Sequence, residues 1–332
     1  MQHSHLPLTE KVYVMPLVLV RTPTYRRPAL LKRALVCLQS QTHQDWICEV
    51  RDDCPDGSAK AIVEELNDPR IHHVQNQPQK FMIENLDACF LKENPYDADY
   101  FFMLEDDNQV RPKYMEKGIE IISQMGVNIC MLNQVIEYRG VDKSEAYSEF
   151  GILSGIYNER VHEPREIRLA LFGWTAMSNG SIFWSKNIRR ELAFRTGVTP
   201  GIDEDLRAML LREPVYVCRE KLAVWAQDEV GTTRNLGFKK GKLRRELDMQ
   251  AGAKAIRRIV WKDTPEEMKI SFLKGEILRI PLEKRQYELQ RAGIKLNLPG
   301  SPYGMLKNIK VNAVRIFGRV HPSIKKIDLD SF

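Results

Sequence analysis

VYVMPLVLVRTPTYRRPALLKRALVCLQSQT, residues 12–42, carries an apolar run, a polar break and a periodic apolar stripe in close succession. Val12–Val20 is rich in β-branched residues and too short to span a bilayer, so it reads as a buried strand. The polar run Arg21-Thr22-Pro23-Thr24-Tyr25 ends it. Pro28 then stands where a first helical turn tolerates proline. From there Leu30, Leu31, Ala34, Leu35 and Leu38 recur on one face of a helix over residues 28–39. Strand, short polar loop and amphipathic helix form the opening of an α/β unit.

The same alternation continues outward. Trp46–Val50 reads as a second strand and Asp52-Asp53-Cys54-Pro55-Asp56-Gly57-Ser58 as a loop, with Ser58 as N-cap of a helix through Leu66. Ile71–Val74 is a third strand and Met82–Leu91 a helix. Tyr100–Leu104 is a fourth strand that ends abruptly in Glu105-Asp106-Asp107. Pro112 opens a helix to Met125, and Ile129–Leu132 is a further strand. Regular alternation predicts parallel strands joined by right-handed crossovers, with ligands bound at their carboxyl ends. Three polar clusters fall there: Arg21–Tyr25, Asp52-Asp53 and Glu105-Asp106-Asp107. Acids that each follow an apolar strand point into one crevice, whereas three acids after a buried run are costly unless a cation compensates them.

Further on, Gly173–Trp184 (GWTAMSNGSIFW) mixes small, polar and aromatic residues, with Trp174 and Trp184 read as core. Asp203-Glu204-Asp205 precedes a helix, Leu206–Leu211; Val215–Cys218 and Leu222–Trp225 read as short strands. Residues 231–245 read as a flexible basic loop, followed by helices rich in Arg and Lys.

Net charge is +6, but residues 237–332 carry 22 Lys and Arg against 10 Asp and Glu, leaving the motif-bearing part acidic. The six cysteines show no metal-ligand spacing and several lie in apolar runs, so they read as buried thiols of a reducing compartment. With no signal-peptide pattern, the expected location is the cytoplasm.

Taken together, these motifs resemble one family. PTYRRPALLKRALVCLQSQT (Pro23–Thr42) resembles the opening of the family 2 glycosyltransferases, whose usual form is strand, P-T-Y-N-R-P and a helix ending near S-Q-T. EVRDDCPDGS resembles their D-D-G-S element, one residue shorter and with Cys54-Pro55 where Gly-Ser is common; LEDDNQVRP resembles their D-x-D element, with Glu105 as its first acid. The resemblance is good from Val12 to Met125 and partial to Thr233. It implies a GT-A-like mixed, mostly parallel sheet flanked by helices over residues 1–235, with a basic, mainly helical extension over 236–332.

The resemblance also implies roles. Pro23, Thr24 and Tyr25 match the loop that packs on the nucleotide base, and Asp53 or its neighbour Asp52 matches the acid that contacts it. Asp106 joins this nucleotide-binding set. Glu105 and Asp107 match the outer D-x-D positions, with Asp107 the expected contact of a divalent cation, Mn2+ or Mg2+. Asp228 lies near the position of a further metal ligand, a histidine in the family. Asp205 resembles the acid that deprotonates the acceptor, with Asp203 as the alternative. The implied reaction is transfer of a sugar from a nucleotide-sugar, a UDP-sugar by family habit, to a carbohydrate or lipid-linked hydroxyl, with inversion, in polysaccharide or glycoconjugate synthesis.

This fits the chemistry of a diphosphate leaving group. Its charge calls for a hard cation on oxygen ligands, and the acceptor hydroxyl for a carboxylate base. Two other readings compete. A sugar-phosphate nucleotidyltransferase calls for a Gly-rich loop after strand one, where Thr22–Arg27 has no glycine. A degenerate transferase acting as a scaffold calls for weak, metal-independent nucleotide binding. For the basic C-terminal part the default is a solvated surface. A second reading is peripheral contact with an anionic membrane, from the amphipathic spacing of residues 305–320. Nucleic acid is not expected, since no recognition motif is present.

Overall fold

A computed structural model describes residues 15–139, 147–173, 175–195, 197–228 and 240–294, together with 314, 316–325 and 327. The first strand, β1 (Val18–Thr24), runs further than its apolar stretch. Its whole length pairs in parallel with β2 (Trp46–Asp52), from Val18 opposite Trp46 to Thr24 opposite Asp52. Thus Arg21–Thr24, expected as loop, are strand. Pro23 is tolerated because β4 (Tyr100–Met103) pairs only as far as Arg21 opposite Met103.

Helix α1 (Pro28–Gln39) has the expected limits and buries Leu31, Ala34, Leu35, Cys37 and Leu38. Each of its fully buried leucines contributes about 2 kcal/mol relative to exposure. The next helix, α2 (Lys60–Leu66), begins later than expected, with Ala59 in place of Ser58 at its N-cap. Asp52 supplies the reason: its Oδ2 accepts the Ala59 N–H at 2.8 Å. Strand β3 (Ile71–Gln75) and helix α3 (Phe81–Ala88) complete the parallel half, in the order β3-β2-β1-β4.

The second half reverses. After β5 (Gln109–Val110), α4 (Tyr114–Met125) and β6 (Ile129–Arg139), the chain forms β7 (Arg160–His162), α5 (Pro164–Leu169) and β8 (Ile182–Ser185). Strand β8 inserts antiparallel between β4 and β6. Helix α6 (Asp203–Leu210) leads to β9 (Val215–Asp228), which joins the two expected short strands into one. It pairs parallel to β6 with register shifts at Asn133, where the 218–222 segment bulges. The sheet is therefore mixed.

Helices α7 (Lys240–Asp263), α8 (Glu266–Lys274) and α9 (Leu282–Arg291) follow, with a short α10 (Pro322–Lys325). Ile256, Val260, Phe272 and Leu289 from these helices share one apolar cluster with Leu19, Phe101, Ile167 and Leu206. The basic helices thus pack into the core of the sheet domain. Their first turn begins at residue 240, inside the stretch expected as loop; residues 229–239 and most of the amphipathic 305–320 segment lie outside the described residues, as does Trp174. Trp184 is core, stacked on Phe90 and Phe101 at 5.3 and 5.9 Å. All six cysteines are buried and unpaired.

Candidate active site

The carboxyl ends of β1, β2 and β4 meet as expected, but not every polar residue there faces the crevice. Arg21 turns the other way. Its guanidinium bonds Glu49 Oε2 at 3.1 Å and the Leu91 carbonyl at 2.6 Å, anchoring the segment after α3. Thr24 lies on the crevice side, where its hydroxyl donates to Asp106 Oδ2 at 2.7 Å.

Arg27, just before α1, reaches the same acidic turn. Nη2 lies 2.6 Å from Asp106 Oδ1 and Nη1 2.8 Å from Asp107 Oδ2. Asp106 is fully buried, and that burial pushes its carboxyl up to about 7 despite the cation beside it. Asp107, paired with Arg27, is 24% exposed. Glu105 accepts from Asn108 Nδ2 at 2.6 Å, and Asn108 Oδ1 in turn accepts the Ala226 N–H of β9 at 3.0 Å. A single turn thereby joins β1, α1 and β9.

Asp52 and Asp53 are both buried and both committed to their own loops. Asp52 Oδ1 accepts from Cys54 N at 2.9 Å and Oδ2 from Ala59 N, with His73 Nε2 at 3.2 Å. Asp53 Oδ1 accepts from Asn76 Nδ2 and Lys80 N, and Oδ2 from Phe81 N, at 2.7–2.9 Å. Its own N–H donates to the Thr24 carbonyl at 3.0 Å. Asp52 thus braces the loop that follows β2, while Asp53 ties the 76–81 segment to the end of β1, where Thr24 leads into Tyr25. Tyr25 is 37% exposed, with the Arg26 guanidinium 5.3 Å from its ring centre.

On the β8 side, a short helical turn over Asn179–Ser181 is closed by a reciprocal Ser178–Ser181 cap. Gly180 is packed so closely that a Cβ there would lie 3.0 Å from Gln134 Nε2 and 3.7 Å from Asn108 Nδ2. Its neighbour Asn179 donates from Nδ2 to Asp203 Oδ2 at 2.8 Å, and its backbone N–H donates to Glu204 Oε1 at 2.9 Å. Arg207, fully buried, donates from Nε to Asn179 Oδ1 at 2.9 Å, so the Asn179 amide is held by both ends. The same guanidinium stacks on Phe90 at 3.5 Å and pairs with Asp87 at 3.2 Å. Asp203 is therefore fixed beside the turn that borders Asn108.

The three acids before α6 prove to be its first turn, and they diverge. Asp205 points away from Asn179, toward α7 and α9, with Arg257 Nη1 at 3.8 Å. Burial pushes its carboxyl up to about 6, with Arg257 opposing and Asp203 and Glu288 adding to the rise. Of the two expected bases, only Asp203 is joined to the crevice by hydrogen bonds. Asn179, Arg27 and Phe81 carry no signal in the sequence beyond their place beside these motifs.

For a cation, the described residues supply Glu105 and Asp107 on one turn; they hold no cluster of three His, Cys, Asp or Glu side chains able to bind a metal unaided. Two hard oxygen donors fit an ion whose remaining ligands are diphosphate oxygens. Asp228 ends β9 opposite Arg139, and its side chain lies outside the described set.

Comparison with known proteins agrees with this geometry. The glycosyl transferase family 2 model matches residues 20–191, just over half of the chain. No curated protein matches the sequence. Among solved structures, S. aureus TarS 1–349 in complex with UDP-GlcNAc is similar over 90% of this chain and 79% of its own, with TM-score 0.55 and 11% identity. A mannosyltransferase, PcManGT from Pyrobaculum calidifontis in complex with GDP-Man and Mn2+, is similar over 92% of this chain and 87% of its own, with TM-score 0.50 and 15% identity. At these identities the likeness speaks to fold. Together with the family match over the strand-end motifs, it shows that this chain belongs to glycosyl transferase family 2 and is a glycosyltransferase of GT-A fold.

Proposed function

We propose that this enzyme transfers a sugar from a nucleoside diphosphate sugar to an acceptor hydroxyl, with Asp203 as the base. The observation that carries the reading is the hydrogen-bonded path from Asn179 to Asp203, beside the acidic turn held by Thr24 and Arg27. Asp203 takes the acceptor proton; Asn179, itself held by Arg207, orients its carboxylate. Asp205 serves the packing of α6 on α7. Tyr25 and the loop tied by Asp53 receive the nucleoside. Asp107 and Glu105 would hold Mn2+ or Mg2+, which when bound neutralises charge on the departing diphosphate. Arg27, already paired with Asp106 and Asp107, keeps the acidic turn compact.

Inversion of the anomeric centre follows if the acceptor hydroxyl, losing its proton to Asp203, attacks the anomeric carbon opposite the departing diphosphate, and family membership supports it. The bound donors named for the two similar structures, UDP-GlcNAc and GDP-Man, support a nucleotide-sugar donor here, with a UDP-sugar the first to try. The acceptor is proposed as a carbohydrate or a lipid-linked sugar in polysaccharide or glycoconjugate synthesis. Exposed Leu243, Ile316 and Phe317, with Arg244 bonded to the Phe317 carbonyl, support contact with an anionic membrane surface. No helix among the described residues is long and apolar enough to cross a membrane.

The test is release of nucleoside diphosphate from UDP- and GDP-sugars, with water standing in for the acceptor. Wild type releases it from at least one donor and Asp203→Asn does so about 10²–10⁴-fold more slowly. Equal rates in the two proteins refute the assignment of the base.

A further inference from the structure

Phe81 opens α3 and is 69% exposed. Its φ is +62°, a left-handed conformation that bulky residues avoid and glycine adopts freely. Asp53 maintains it, accepting the Phe81 N–H at 2.7 Å and the Lys80 N–H at 2.7 Å. Asp53 also donates its own N–H to the Thr24 carbonyl, so Tyr25 and Phe81 each sit one step from the same aspartate. The Tyr25 loop carries a second strained residue, Arg26, with φ of +53°. A large apolar ring held in water on strained backbone contributes nothing to folding, and such outliers gather at ligand sites. The position is the carboxyl end of the parallel strands, where this fold class binds ligands.

We propose that Phe81 is a stacking platform for the base of the nucleoside diphosphate donor, flanking it together with Tyr25. This rests on the donor-site reading above and adds a residue that sets affinity for the nucleoside half of the ligand. An aromatic face takes any base, so Phe81 contributes affinity, while hydrogen bonds elsewhere choose among bases. Binding of the diphosphate half does not depend on it.

The test uses the full chain carrying Phe81→Gly or Phe81→Tyr. Uridine, thymidine and guanosine diphosphates are titrated with Mn2+ present, beside inorganic pyrophosphate as a base-free probe. Phe81→Gly weakens the favoured nucleoside diphosphate about tenfold or more, since stacking on an aromatic ring is worth that much per base. It leaves pyrophosphate binding unchanged, and Phe81→Tyr restores wild-type affinity. Because glycine relieves the strained φ, the variant melts no lower than wild type, so a loss of binding is not a loss of fold. Unchanged nucleotide affinity in Phe81→Gly overturns the platform alone, leaving the donor site standing. Equal weakening of pyrophosphate and nucleotide overturns it too, by showing a merely structural role. If wild type binds none of the nucleotides, the platform falls together with the donor-site reading.

Discussion

Asp106→Asn removes a buried carboxyl from the centre of the acidic turn. The carboxyl is fully buried, receives the Thr24 hydroxyl and lies 2.6 Å from Arg27 Nη2. Burial outweighs the cation and lifts its pKa from 3.8 to about 7. The folded state therefore keeps the proton to a higher pH than the unfolded chain does. The stability this gives is fully present below about pH 4 and is lost as pH rises through about 7. A rise of that size corresponds to on the order of 4 kcal/mol. Asparagine has the same shape, still accepts from Thr24, and does not titrate. Urea denaturation of both proteins in chelator, from pH 4 to pH 8, reads the difference directly. The stability of Asp106→Asn relative to wild type increases with pH by about 4 kcal/mol and levels off above pH 7. A difference that does not change with pH shows that burial does not raise the Asp106 carboxyl. A change of opposite sign shows that the Arg27 pair, not burial, sets the state of this carboxyl.

Three further substitutions have outcomes set by the same structure. Arg207→Met keeps the volume but leaves Asp87 buried without its cation, so stability falls by about 3–5 kcal/mol, read by urea denaturation at pH 7. Asp205→Asn leaves donor hydrolysis within a few-fold of wild type, in contrast to Asp203→Asn, because its carboxylate faces Arg257 and α7 rather than the crevice. Its stability relative to wild type also increases as pH rises from about 4 to about 6, since wild-type Asp205 is lifted to about 6 by burial. Gly180→Ala drives a methyl to 3.0 Å from Gln134 Nε2 and shifts the turn carrying Asn179; the donor-hydrolysis rate falls by more than the melting temperature accounts for.

The first half of the fold is legible in the sequence because local patterns there agree with the tertiary outcome. Pro28 and the Leu31, Leu35, Leu38 stripe set α1 to the residue, and apolar runs ending in acids mark the strand ends. Strand limits are less legible: Arg21–Thr24 is polar, yet pairing with β2 keeps it extended. Direction is not legible in β8, whose IFWS run is apolar on both faces and says nothing of its antiparallel insertion. In the site, the acidic turn could be read from its place after a strand, and Thr24 from its place at the end of the first. The choice between Asp203 and Asp205 could not, because it depends on which side of α6 meets α7, a contact with residues some fifty positions away. Phe81 was hidden for a different reason: a positive φ on a phenylalanine leaves no trace in composition or spacing.

We propose that the acidic turn and the end of β1 at Thr24 and Tyr25 form one metal-assisted site for a nucleoside diphosphate. Calorimetric titration of uridine, thymidine and guanosine diphosphates tests it most directly, with Mn2+ and with chelator, on wild type and on Asp107→Ala. One diphosphate binds tightly with Mn2+, binds weakly or not at all in chelator, and loses the metal-dependent part in Asp107→Ala. Binding of no diphosphate by wild type, or binding indifferent to both Mn2+ and Asp107, contradicts it and favours a degenerate, scaffold-like site.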